Sequence, residues 1–199
     1  LPIQVVTSPS PAFRVTGTGL LRESMRESTI YAPEMIKSLA LRLGLDRTVL
    51  DKTHFHIHAP AAATPKDGPS AGAAIATAIV SAFSNIPVRR DLAMTGEVDI
   101  FGNVLPIGGL DEKLQGAIDA GATTVLIPDQ NIRDLDDIPQ SVRDQLDIIP
   151  VRRIEQVLDH ALTQKLPDPC MDNVVPLKPA SGCPSCPPAH KRAADGPAP

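Results

Sequence analysis

Residues 70–83 read SAGAAIATAIVSAF, a run of apolar and small side chains. It is too long for one strand, and its alanines favour a helix, which is expected to end near Asn85. A helix that is apolar on every side must be buried on every side, so the rest of the chain has to supply layers that enclose it. Aromatic residues make up only 3% of the 199 residues, with no Trp and one Tyr, so those layers are built from Ala, Val, Ile and Leu. Such small side chains let backbones approach closely.

The flanking pattern supplies the layers. Phe13 to Thr18 reads as a short strand, followed by Gly17 and Gly19 as breakers and a helix from Leu21 to Leu43 closed by Gly44. Pro33 is expected to kink or split that helix. His54, His56 and His58 alternate with Phe55, Ile57 and Ala59, the period-2 pattern of a half-buried strand ending at Pro60. Beyond the buried helix, Asp91–Ile100 and Val104–Ile107 read as a strand pair around Phe101-Gly102-Asn103, and Gly108-Gly109 leads into a helix from Asp111 to Ala120. A strand at Thr124–Ile127, a polar helical region from Ile132 to Leu146, a strand at Asp147–Val151 and an amphipathic helix from Ile154 to Gln164 complete the pattern. Strands alternating with helices give an α+β fold with α/β layers, a mixed sheet packed with helices.

Both ends read differently. Residues 1–12, LPIQVVTSPSPA, look like an extended lead-in, which places the folded domain at 13–165. Nine of the 21 prolines and all three cysteines lie after Leu166, so residues 166–199 read as a disordered tail. Cys170, Cys183, Cys186 and His190 there could in principle form a zinc set, but such a set needs folded supports that this stretch does not offer. With no cysteine before the tail, the domain fits a reducing compartment, the cytoplasm or an organelle matrix. A net charge of −4 without a basic patch argues against nucleic acid, and no apolar run approaches the ~18 residues of a spanning helix.

Candidate chemistry concentrates in three places. In Thr64-Pro-Lys-Asp-Gly-Pro-Ser-Ala-Gly72 a tight loop delivers Ser70 to the start of the buried helix, where the amides near Ser70 and Ala71 could face the oxyanion of an attacked carbonyl. A plain N-cap role for Ser70 stays open on spacing alone. The Gly68-x-Ser70-x-Gly72 match to a nucleophile elbow is weak, because no strand runs into the serine and His160 lies on an ordinary amphipathic helix. A base other than histidine is then required. Lys113, in the first turn of a helix whose dipole disfavours its charge, and Lys66, in the serine loop, are the candidates, against a reading of either as a surface charge. Thr95, in Met94-Thr-Gly-Glu97, could orient an amine or merely belong to a turn. The histidines at 54, 56 and 58 could suggest metal, though a polar sheet face explains them better.

The segments HIHAPAAATPKDGPSAG (56–72), MTGEVDIFGNVLPIGGLDEKL (94–114), and TVLIPDQNIRDL with IPQSVRDQLDIIPV (124–151) resemble the C-terminal proteolytic domain of Lon proteases, from about Val15 to Leu162. The resemblance implies a Ser-Lys dyad endopeptidase with Ser70 as nucleophile and Lys113, rather than Lys66, as general base. It implies further that Thr95 supports the lysine and that Asp67 shapes the site. Family members work as homo-oligomeric, usually hexameric, rings whose ATPase module threads unfolded or damaged proteins to the proteolytic chamber. The chain carries no GxxxxGK sequence, so no cofactor is expected in it; ATP and Mg would belong to an ATPase module in cis or in trans. Cytoplasm, or alternatively the mitochondrial matrix, is the implied location. The family's strands upstream of the segment matching Phe13 are expected to be missing. Alternative readings are a non-catalytic piece that only assembles with ring subunits, and an anion binder at the helix start near Ser70.

Overall fold

The computed structural model describes residues 1–19, 21–60 and 68–168. Asp67, Lys66, the three cysteines and His190 lie outside that set.

The first sheet contains β1 (Gln4–Pro9), β2 (Arg14–Thr18) and β3 (Thr53–His58) in the order β1-β3-β2, with β1 antiparallel and β2 parallel to β3. The lead-in expected at 1–12 is therefore corrected, since residues 4–9 pair with β3 along its whole length. The sequence concealed this strand because Pro2 and Pro9 bracket it, and a proline at the end of an edge strand removes no needed donor. Ile3 and Val5 pack against the core, which anchors the segment.

Helix α1 (Glu23–Leu39) runs on without a break through Pro33, contrary to the expected split. The proline is buried, so packing on both sides of it outweighs the lost hydrogen bond. The helix ends at Leu39, earlier than expected. Residues 40–44 form a turn in which Gly44 adopts φ +65° and Leu45 N–H donates to Ala40 O at 2.8 Å. Helix α2 (Arg47–Leu50) is capped by Asp46, whose side chain accepts from the Thr48 and Val49 amides.

The small-residue run becomes a 3-10 turn (Pro69–Ala71) followed by α3 (Gly72–Ser84). Ile75, Ala76 and Val80 are fully buried, as a helix apolar on every side requires. The expected strand 91–100 is two strands. β4 (Leu92–Met94) pairs with β7 (Thr124–Pro128), and β5 (Glu97–Val98) pairs antiparallel with β6 (Val104–Leu105). The division falls at Gly96, whose φ of +156° turns the chain out of one sheet and into the other.

Helix α4 (Leu110–Asp119) follows, then β7 and β8 (Asp147–Val151), giving a parallel sheet in the order β4-β7-β8. The polar helical region expected at 132–146 resolves into a 3-10 segment (Asp129–Asp137) and the single-turn α5 (Gln140–Arg143). Pro139 lies between them and forbids one continuous helix. Helix α6 (Ile154–Ala161) closes the fold.

The two faces of β7 divide the core. Leu126 joins the large cluster enclosing α1, α3 and α6, while Val125 and Ile127 join a smaller one with Leu110, Leu114 and Ala117 of α4. Alternation along a strand produces this division directly.

Candidate active site

Ser70 sits in the 3-10 turn ahead of α3. The N-cap of α3 is Ala71 and that of the 3-10 turn is Gly68, so Ser70 caps neither and the N-cap reading falls. The turn is tied to the β4–β5 junction by backbone bonds: Gly96 N–H donates to Ser70 O at 2.9 Å and Ala73 N–H donates to Gly96 O at 3.0 Å. Such proximity requires glycine on both sides. A Cβ on Gly72 would lie 3.0 Å from Val98 N, and one on Gly96 would lie 2.7 Å from Val104 Cγ1. The same junction carries Thr95, which is buried, donates from its amide to Leu126 O at 3.0 Å, and points its hydroxyl at Ser70 O, 3.5 Å away.

Lys113 reaches the site from α4, whose N-cap Gly109 has φ +65°. The Lys113 amine donates to Gly108 O at 3.0 Å, so the ammonium end folds back over the Gly108-Gly109 loop. Ser70, Ala71, Thr95 and Lys113 all line one cavity of about 690 Å³, together with Ala74, Met94 and Glu112. The structure thus brings together four of the five residues singled out from the sequence, and Asp67 lies outside the described residues. Apolar side chains of α3 and β4 share this lining with the Ser70, Thr77 and Thr95 hydroxyls and the Lys113 amine.

Glu97, next to this junction, acts at a distance on Tyr31. Burial raises the Tyr31 phenol above its ordinary pKa, the Ser28 hydroxyl 3.1 Å away works against that, and the charges of Glu97 and Glu27 add to the rise.

Sequence reading missed Asn131, which is 2% exposed and binds the loop before α4 at Ile107. An isolated Asn after a strand carries no motif, and the signal would have been its place between β7 and a 3-10 segment where the chain must turn.

The histidines of β3 form a polar face. Thr16 bridges His54 Nε2 (2.9 Å) and His56 Nδ1 (2.8 Å), Thr18 bridges His56 Nε2 (3.1 Å) and His58 Nδ1 (2.8 Å), and Ser8 lies 3.4 Å from His54 Nδ1. Among the described residues no three His, Cys, Asp or Glu side chains come together as a metal site. No helix among them is long and apolar enough to cross a membrane.

A layered α+β domain with a serine and a lysine lining one cavity fits a class of candidate hydrolases, and the comparison with known families narrows it. The chain belongs to the family of the Lon protease (S16) C-terminal proteolytic domain, whose family model matches residues 1–164. It is 50% identical to the Lon protease of Rhizobium meliloti (strain 1021) over 169 residues, 85% of this chain and 21% of that protein. The Lon protease of Brucella abortus biovar 1 (strain 9-941) is 49% identical over the same share of each, and that of Rickettsia bellii (strain RML369-C) is 50% identical over 83% of this chain and 21% of that protein. The chain spans about a fifth of the length of these relatives.

Proposed function

We propose that this chain is a serine endopeptidase that hydrolyses peptide bonds of unfolded or damaged proteins through a Ser70–Lys113 dyad. The observation that carries the reading is that Ser70, from the turn before α3, and Lys113, from α4, line the same cavity. Ser70 Oγ attacks the scissile carbonyl while the Lys113 amine takes its proton, and the amides near Ser70 and Ala71 meet the oxyanion. The proton passes to the leaving amine, an acyl-enzyme remains on Ser70, and water attacks it with Lys113 again as base. Thr95 holds the Ser70 turn and supports the lysine, and the resemblance assigns Asp67 a part in shaping the site. On the family resemblance we propose further that the chain is the proteolytic part of an ATP-driven homo-oligomeric ring in the cytoplasm, with ATP and Mg bound by an ATPase module.

The test uses the 199-residue chain with unfolded casein and a fluorogenic peptide. Ser70→Ala abolishes hydrolysis and Lys113→Ala lowers kcat by about 10³-fold or more. A Ser70→Ala chain that cleaves like the wild type overturns the reading, and a wild type that does not cleave leaves an assembly role instead.

A further inference from the structure

We propose that Asn131 is the positioning residue for the Lys113 amine, acting through the peptide of Ile107; this rests on the reading of Lys113 as the base. Asn131 does not line the cavity. It lies in the 3-10 segment after β7, buried, and pairs with a residue 24 positions earlier. Its Oδ1 accepts from Ile107 N–H at 3.0 Å and its Nδ2 donates to Ile107 O at 2.8 Å, so the side chain meets the peptide as an opposing strand would. The second Nδ2 hydrogen goes to Asp134 Oδ2 at 2.6 Å. That contact fixes the amide's sense, because the flipped amide would set its oxygen against two acceptors and its NH2 against an N–H.

The next residue presents the carbonyl that holds the Lys113 amine at 3.0 Å, and the one after it accepts from Lys113 N–H at 3.3 Å. Gly108 and Gly109 are both exposed, and a Cβ on Gly108 would meet nothing within 4 Å. Side-chain packing therefore does not set the direction of the Gly108 carbonyl. The clasp at Ile107, one residue upstream, holds the peptide from which the two Gly108 torsions carry that carbonyl. Neither a lone lysine on a helix nor an Asn after a strand announces this arrangement; it needs the two segments side by side.

The experiment compares wild type, Asn131→Ala, Asn131→Asp and Asp134→Asn in the 199-residue chain. The readouts are kcat and KM on a fluorogenic peptide, hydrogen exchange at the Ile107 amide, and the ¹⁵N order of the Lys113 amine by NMR. Asn131→Ala is expected to lose Ile107 protection, lower the order of the Lys113 amine and reduce kcat by about 10- to 100-fold with KM within about twofold. Asn131→Asp keeps an acceptor for Ile107 N–H but sets its second oxygen against Ile107 O and the Asp134 carboxylate, and is expected to lose at least as much as Asn131→Ala. Asp134→Asn gives the smallest change.

Leu50→Val, a core change in α2 away from the cavity, controls for lost stability and is expected to leave kcat and the lysine order unchanged. Wild-type kcat and lysine order in both Asn131 variants overturn the proposal, as does an equal loss in Leu50→Val. Should Asn131→Ala or Asn131→Asp not fold, Asn131→Ser, smaller and uncharged, takes its place with the outcome expected of Ala. A wild type without Ser70-dependent hydrolysis removes Lys113 as the base, and the NMR readouts still report whether Asn131 fixes its amine.

Discussion

Gly96 meets three demands at once. Its N–H holds Ser70 O, its own carbonyl takes the Ala73 amide, and its φ of +156° turns the chain from β4 into β5 while leaving no room for a Cβ beside Val104. Gly96→Ala is therefore expected to cost about 1–3 kcal/mol in thermal or denaturant unfolding, and to lower peptide hydrolysis by shifting the Ser70 turn. An alanine variant with wild-type stability and rate would remove both roles. At this scale the sequence was informative wherever chemistry and backbone punctuation coincide. Ser70 stands between Pro and Gly residues, Thr95 precedes a glycine, and Lys113 follows a Gly-Gly pair, so each is marked locally. Asn131 is marked by nothing local, because its function is a pairing with a peptide far away in the chain.

The β5–β6 hairpin is an element whose rigidity comes from one carboxylate. Asp99 accepts from Phe101 N–H (2.9 Å), Asn103 N–H (2.8 Å) and Asn103 Nδ2 (2.7 Å), while Arg153 donates to Phe101 O and Asn103 Oδ1. Burial works against the Asp99 charge, but the bonds from Asn103 and Phe101 outweigh it and hold the carboxyl below its usual pKa. A carboxyl depressed in the folded state stabilises above its unfolded pKa and loses that contribution as pH falls through the folded one. Asp99→Ala should cost about 1–3 kcal/mol at neutral pH, and the gap to wild type should close as pH drops below about 4 in melting experiments. A gap independent of pH would mean the charge contributes nothing. Strong apolar runs made α3, β7 and β8 legible beforehand. The break between β4 and β5 showed only as the possible turn at Met94–Glu97, and it takes the rival partners, β7 and β6, to make it a division between sheets.

At the scale of the whole molecule, Ser70 and Lys113 stand on different parts of the core. Helix α3, which follows the Ser70 turn, belongs to the large cluster, and α4 packs through Leu110, Leu114 and Ala117 on the smaller one. Amides of α4 should exchange with solvent faster than those of α3, and Leu114→Ala, at a fully buried position, should cost about 2–5 kcal/mol while accelerating that exchange. Equal protection of the two helices would show a single cooperative core. The layered class was readable from the alternation of elements, but β1 was not, because its place depends on an edge of β3 that local pattern cannot reveal. That edge sheet has a property of its own. Each threonine between two imidazoles has one hydrogen to give and two lone pairs to offer, so its two bonds hold together only if at most one of the ring nitrogens facing it lacks a proton. With neutral rings the tautomer of His56 thus dictates that of one neighbour: with its proton on Nδ1, Thr18 donates to its Nε2 and His58 carries its proton on Nδ1, and with its proton on Nε2, Thr16 donates to its Nδ1 and His54 carries its proton on Nε2.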